Sequence, residues 1–396
     1  MIFVPWTPAG RHPEFPKMNR KSIAMNKRLS GMIPALLVAL ALSATAQAQA
    51  PLPTPSYGIN FGNAMEPPSG VGAWGTPPSQ AMVNAVASAG FNTVRIPCAW
   101  VSHENRKGVI DPTYMAQVQQ LVDWCVADGL YVIINDHWDN GWFENSNFNT
   151  YSKSINSKLQ NTWTQVANNF KNYDTHLLFA CANEPAASTA QQTTVLYTYF
   201  QNWVTTVRGT GGNNATRWLV VQAPSANIDY ATNWVTMPTD PANHVMLEAH
   251  FYDPFQFTQL TSDASWGAMF YFWGAAYHTT GLASRNATWG EESYVDAELN
   301  KGQAFVAKGY PVLWGEWRAA PKPSEPDLTG SYITQNVNST TYWNYYLSTG
   351  INSRGMYGTA WDTPNETFDP TTGAIRDQAS VNAILGKSYV PPLSGL

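Results

Sequence analysis

HLLFACANEP, residues 176–185, is an apolar run that stops abruptly at an amide, a carboxylate and a proline. Leu177 to Cys181 show no polar alternation, which is the pattern of a strand covered on both faces. An ionisable group at the end of such a strand is costly unless it is paired or used. The same arrangement recurs at 57–64, 92–98, 130–138, 217–224, 244–254, 310–318 and 353–362. Helical spacing fills most gaps, at 77–90, 111–129, 156–173, 193–212, 291–309, 331–350 and 376–386, with Pro starts and Gly stops in the clearest cases. Eight strands alternating with helices predict an α/β fold, a (β/α)8 TIM barrel in a single domain with enlarged strand-exit loops. The longest such loop is a Trp- and Tyr-rich insertion near 255–290, and 225–243 shows no clear pattern. An open doubly wound sheet is the alternative, weakened because no GxGxxG follows the first strand.

Composition narrows the function. Charged residues make up 12% of the chain and aromatics 13%, with 17 Trp and a formal charge of -5. That balance leaves no basic footprint for nucleic acid. Trp at this density either fills a large core or lines a groove that stacks flat apolar faces such as sugar rings. From Met25, MNKRLSGMIPALLVALALSATAQAQA has two basic residues, an apolar stretch and Ala46-Gln47-Ala48 as a cleavage site. Residues 1–48 therefore read as an N-terminal extension plus secretory signal, and 49–396 as the barrel. The mature protein is expected to be secreted, monomeric and free of the membrane. Three cysteines, Cys98, Cys125 and Cys181, leave at least one thiol unpaired, and buried core-filling thiols are the simplest reading. No Cys/His spacing suggests a metal, and no metal or cofactor is expected.

In this barrel the site lies at the C-terminal ends of the strands. Polar residues fall there repeatedly: Asn60 and Asn63, Asp136 and His137, Asn183 and Glu184, His250 and Tyr252, Glu316, Trp361 and Asp362. Arg95 lies within the second strand. Taken singly, Arg95 reads as a buried ion-pair partner and His250 as a hydrogen-bonded core histidine. Together they converge on one face. Glu184 and Glu316, flanked by Pro185, Trp314 and Trp317, form a carboxylate pair suited to glycoside hydrolysis. One must carry a proton while the other stays ionised, and different neighbours push two pKa values apart in this way. Arg95 is well suited to hold one of them anionic.

The motifs TVRIP, NDHW, ANEP, HFYDP, GEW and TAWD occur in an order and spacing that resemble glycoside hydrolase family 5, across nearly all of 57–386. The resemblance implies a retaining (β/α)8 hydrolase. It assigns Glu184 as general acid/base and Glu316 as nucleophile, with Asn183 on the sugar 2-hydroxyl. It places Arg95 and Tyr252 behind the nucleophile, His137 and His250 on the sugar and carboxylates, and Trp361 under the ring at the cleavage point. The two carboxyls are expected about 5–5.5 Å apart.

Trp100, Trp138, Trp142, Trp266 and Trp273 lie in or near strand-exit loops and are candidate stacking surfaces for successive sugars; hydrophobic support for those loops is the competing reading. The expected partner is a β-glucan polysaccharide, cleaved internally at β-1,4 bonds, with activity on cellulose derivatives and mixed-linkage glucan. Mannanase or xyloglucanase activity is the enzymatic alternative. A secreted sugar-binding barrel that has lost catalysis is a further one, disfavoured because both carboxylates are present.

Overall fold

Eight short strands close into one parallel barrel, each paired with the next and the last with the first. In this computed structural model residues 50–143, 148–322 and 325–396 are described; the expected extension and signal at 1–48 lie outside them. The strands are β1 (Gly58–Asn60), β2 (Thr93–Ile96), β3 (Tyr131–Asn135), β4 (Leu177–Ala180), β5 (Leu219–Gln222), β6 (Val245–Phe251), β7 (Val312–Trp317) and β8 (Tyr357–Ala360). The main helices are α1 (Gln80–Ala89), α2 (Pro112–Ala127), α3 (Lys153–Phe170), α4 (Ala190–Gly209), α5 (Ile228–Trp234), α6 (Glu292–Val306), α7 (Ser331–Ser353) and α8 (Gln378–Ile384). Side-chain caps fix several starts: Ser79, Asp111, Ser152 and Thr189 each accept a backbone N–H from the first turn that follows. The unpatterned 225–243 contains α5, capped by Asn227.

Every strand is shorter than its apolar run. The residues after β3 and β4 leave the ladder and form the barrel mouth; His137 N, for example, donates to Cys98 O at 2.6 Å.

The barrel interior has two chemical layers. Ile133, Leu178, Ala180, Val220, Met246 and Leu313 form an apolar plug with Trp218 and Leu52. One inward position further along, Asn60, Arg95, Asn135, Gln222, Glu248 and Thr359 are all fully buried and polar. The period-2 alternation of a strand puts these residues directly above the plug.

One strand breaks that alternation. β6 and β7 pair Ala249 with Trp314 and then His250 with Glu316, so Gly315 is an extra residue on β7. Trp314 and Trp317 both face the helices, and Leu313 faces the plug. Strict alternation would point Glu316 outward; the bulge turns it into the mouth. Asn60 Nδ2 and Thr359 Oγ1 both donate to Gly315 O, at 2.9 and 2.6 Å.

The long insertion between β6 and α6 has a small core of Met269, Tyr271 and Phe272, which Leu328 joins from the loop before α7. It is tied to α7 by Asn336 Nδ2 donating to Tyr271 O and Trp273 N donating to Ser339 Oγ, both at 2.7 Å. Cys98, Cys125 and Cys181 are free and buried, with burial pushing each thiol up. Among the described residues, no helix is long and apolar enough to cross a membrane.

A Cβ at Gly315 would lie 1.9 Å from Glu248 Oε1, whereas one at Gly209, the last residue of α4, meets nothing within 4 Å. Gly315→Ala is expected to cost about 1–3 kcal/mol by overpacking. Gly209→Ala is expected to be neutral or to stabilise by up to about 1 kcal/mol. Thermal unfolding of the two variants, compared with wild type, checks both.

Candidate active site

Arg95 organises the polar layer. Its Nη1 donates to Asn60 Oδ1 and Glu316 Oε1, and its Nη2 to Asn183 Oδ1, each at 2.9 Å. Its Nε lies 2.9 Å from Glu248 Oε1. A fully buried guanidinium is tolerable only when its charge is met this completely. Glu248 is also buried, and burial alone would raise its pKa. Arg95, His250 and a 2.8 Å hydrogen bond from Gln222 Nε2 outweigh that and hold it below the usual carboxylate range.

Glu316 projects from β7 and is nearly buried; Tyr252 donates its hydroxyl to Glu316 Oε2 at 3.2 Å. Glu184 lies beyond the end of β4, with its side chain 45% exposed. His250 stands between them. Its Nδ1 is 2.7 Å from Glu184 Oε1 and 3.8 Å from Glu316 Oε2, and its Nε2 is 3.3 Å from Glu248 Oε1. One oxygen of each carboxyl and a His250 nitrogen all lie within 4.8 Å of one another. Two carboxylates and an imidazole at that spacing also resemble a metal donor set. Within that cluster one Glu316 oxygen already accepts from Arg95 Nη1, at 2.9 Å.

Burial opposes charge on His250, but the three surrounding carboxylates raise it to about 10. Both ring nitrogens therefore act as donors. Burial also works against charge on Glu184, but the His250 hydrogen bond and field, helped by Arg95, hold its pKa down. Burial pushes Glu316 up, and His250 and Arg95 offset only part of that. The proton between His250 and Glu184 thus resides on His250.

His137 is the opposite case. Burial and the fields of Arg95 and His250 drive its pKa well down, so it is neutral. Asn135 Nδ2 lies 3.3 Å from His137 Nδ1; with that nitrogen accepting, the hydrogen falls on Nε2. The ring stacks on Trp361 at 5.8 Å and 24°.

The structure thus brings together Arg95, His137, Asn183, Glu184, His250, Tyr252, Glu316 and Trp361. It divides the stacking candidates. Trp138 is 36% exposed, beside His137, and Trp266 is 62% exposed on the long insertion. Trp100, Trp142 and Trp273 are corrected to core residues. Trp100 is fully covered and donates from Nε1 to Asn135 O at 2.9 Å. Trp142 is buried against Phe143. Trp273 is fully covered and donates from Nε1 to Gly290 O at 2.7 Å. Each ring supports a loop, so none offers a face to a sugar.

Three residues escaped sequence reasoning. Glu248 is a carboxylate inside an apolar strand, a signal as anomalous as Arg95 in β2. Trp74 is 44% exposed and meets Trp138 edge-on at 6.1 Å, which sequence distance conceals. Glu66 is buried at the exit of β1, where its carboxyl accepts backbone N–H groups of Asn63 and Ala64; burial pushes its pKa up to about 7.

Two carboxylates facing each other across the mouth of a parallel barrel, above a buried arginine and beside a tryptophan face, define a carbohydrate-active hydrolase. The chain belongs to the cellulase family, glycosyl hydrolase family 5, whose profile matches residues 55–366. A xyloglucan-specific endo-β-1,4-glucanase of Bacteroides ovatus is 33% identical over 327 residues, covering 79% of this chain and 62% of that protein. Endoglucanase A of Paenibacillus barcinonensis is 29% identical over 348 residues, covering 79% and 82%. The chain thus spans less than two thirds of the first relative's length. Among solved structures, a family 5 xyloglucan-specific β-1,4-glucanase from a ruminal metagenomic library, in complex with XXLG, superposes with a TM-score of 0.75 at 35% identity. That match covers 86% of this chain and 96% of the other.

His250 makes stability depend on pH. Its folded pKa of about 10 exceeds the unfolded value of about 6.5, so its contribution is complete below about 6.5 and is lost as pH rises toward 10. Denaturant unfolding of wild type and His250→Asn at pH 6, 8 and 10 is expected to show a shrinking difference, with an upper bound on the order of 5 kcal/mol.

Proposed function

We propose that the protein is a secreted, monomeric, retaining endo-β-1,4-glucanase, with residues 49–396 as one catalytic domain. The observation that carries the reading is the Glu184–His250–Glu316 cluster, whose carboxyl oxygens approach within 4.8 Å. That spacing suits attack by one carboxylate on the anomeric carbon and falls short of the roughly 6.5–9.5 Å between carboxyls that inversion uses.

Glu184 is the proton donor and Glu316 the nucleophile. A sugar entering the mouth strips water from the half-exposed Glu184 and raises its pKa. The proton then crosses the 2.7 Å hydrogen bond from His250 Nδ1 to Glu184. Glu184 delivers it to the glycosidic oxygen as Glu316 bonds to C1 and the C1–O bond breaks. Esterification removes the Glu316 charge, so Glu184 can take a proton from the attacking water, which releases the sugar and restores Glu316. Arg95 and Tyr252 hold Glu316 in line, and Asn183, fixed by Arg95, faces the 2-hydroxyl. Neutral His137 offers an Nε2 hydrogen, and Trp361 carries the ring. Trp138, with Trp74, and Trp266 are stacking surfaces for further sugars.

Export is supported by the basic, apolar and small-residue succession that begins at Met25. Xyloglucan is the second substrate to test, because similar proteins from Bacteroides ovatus and the ruminal library are named for it.

The mature protein is to be incubated with carboxymethyl cellulose, barley mixed-linkage glucan, xyloglucan and glucomannan while viscosity and reducing ends are followed. A viscosity drop that outpaces reducing ends on the cellulose derivative is expected. Activity confined to glucomannan would overturn the substrate, and silence on all four the reaction. Glu184→Gln and Glu316→Gln are each expected to lower kcat by about 10³-fold or more.

A further inference from the structure

Beside Glu184 the mouth opens into a recess of about 170 Å³ between the exits of β4, β5 and β6 and the start of α6. Its lining includes Glu184 and Tyr252 but neither Glu316 nor Trp361. On the reading above, on which this inference rests, Glu184 protonates the leaving oxygen. The recess therefore lies on the leaving-group side of the scissile bond.

Its wall is acidic. Asp229 on α5, Asp253 after β6 and Glu298 on α6 face it, with Tyr294. The nearby cation, Lys301, is shared: it pairs with Asp229 and, at 2.6 Å, with Glu298. Asp253 accepts from Tyr294 OH at 2.8 Å. Glu184 and His250, paired with each other at 2.7 Å, complete the charged lining, and Glu316 and Arg95 lie beyond it. Burial pushes both Asp253 and Glu298 up, and the field of Asp229 adds to it against the hydrogen bonds from Tyr294 and Lys301.

The first sugar of the leaving group falls in this recess, and we infer that the acidic wall rejects substrates carrying an anionic substituent on that sugar. Carboxylates accept hydrogen bonds from neutral sugar hydroxyls. An anionic group placed there meets like charge and loses hydration. The inference assigns Asp229 and Asp253 as specificity-determining residues.

Carboxymethyl cellulose and barley glucan, one anionic and one neutral, supply the test. Mass spectrometry of the carboxymethyl cellulose products reads substitution on each new non-reducing-end glucose, the sugar that occupied the recess. Wild type is expected to leave those glucoses unsubstituted. Asp229→Asn, and separately Asp253→Asn, are expected to raise the ratio of kcat/KM on carboxymethyl cellulose to that on barley glucan. A unit charge about 4 Å away corresponds to about fivefold at the dielectric of water. The wild-type ratio is also expected to rise as salt shortens the screening length from about 30 Å at 0.01 M to about 10 Å at 0.1 M. This arm needs no variant. New ends substituted as often as the polymer itself, or a ratio that neither variant nor salt moves, would overturn the inference. Wild-type silence on barley glucan would instead count against the parent reading.

Discussion

A positive charge sealed inside a barrel must be matched where it stands, and Arg95 is that charge. With no water to share it, the guanidinium takes Asn60, Asn183, Glu248 and Glu316 as partners, drawn from five different strands and their exits when β2 is counted. Strand order and register are therefore bound to the site: a barrel that closed differently would leave this ion without partners, at a cost of several kcal/mol. The apolar plug beneath closes the barrel floor, and the polar layer above gives the mouth a rigid base.

The two histidines show how position divides one chemistry into two. His250 is surrounded by carboxylates and carries a proton to high pH; His137, close to Arg95 and His250, carries none at neutrality. Their opposite states let one ring act as a proton reservoir while the other presents a single N–H. The carboxylate directions have different causes: burial pushes Glu316 up, while the hydrogen bond and field of His250 hold Glu184 down. On the proposed mechanism, loss of water from the exposed Glu184 reverses that arrangement.

Much of this was legible in the sequence because strand-end polarity is a local signal. Glu184, Glu316, His137 and Tyr252 each interrupt or follow an apolar run, and a doubly covered strand permits no such interruption without a cause. Glu248 carried the same signal in β6 but lies two residues before His250, whose position at the strand end drew the reading. The tryptophans were less legible because exposure is decided by how loops fold over one another. Trp273 and Trp266 occupy one insertion, yet the first is its core and the second its surface. Trp74 pairs with Trp138 across a gap that only the closed barrel spans.

The extra residue at Gly315 gives β7 a parity that its neighbours lack. Drawing the strand flat, so that Gly315 took a regular place in the ladder, would change no residue and yet exchange inside for outside, sending the carboxylate toward the helices and Trp317 into the mouth. A recombined barrel assembled from this chain and a relative can therefore be joined in the loops on either side of β7 but not within 313–316. That tetrad behaves as an indivisible unit of inheritance, because orientation along a strand is counted in whole residues.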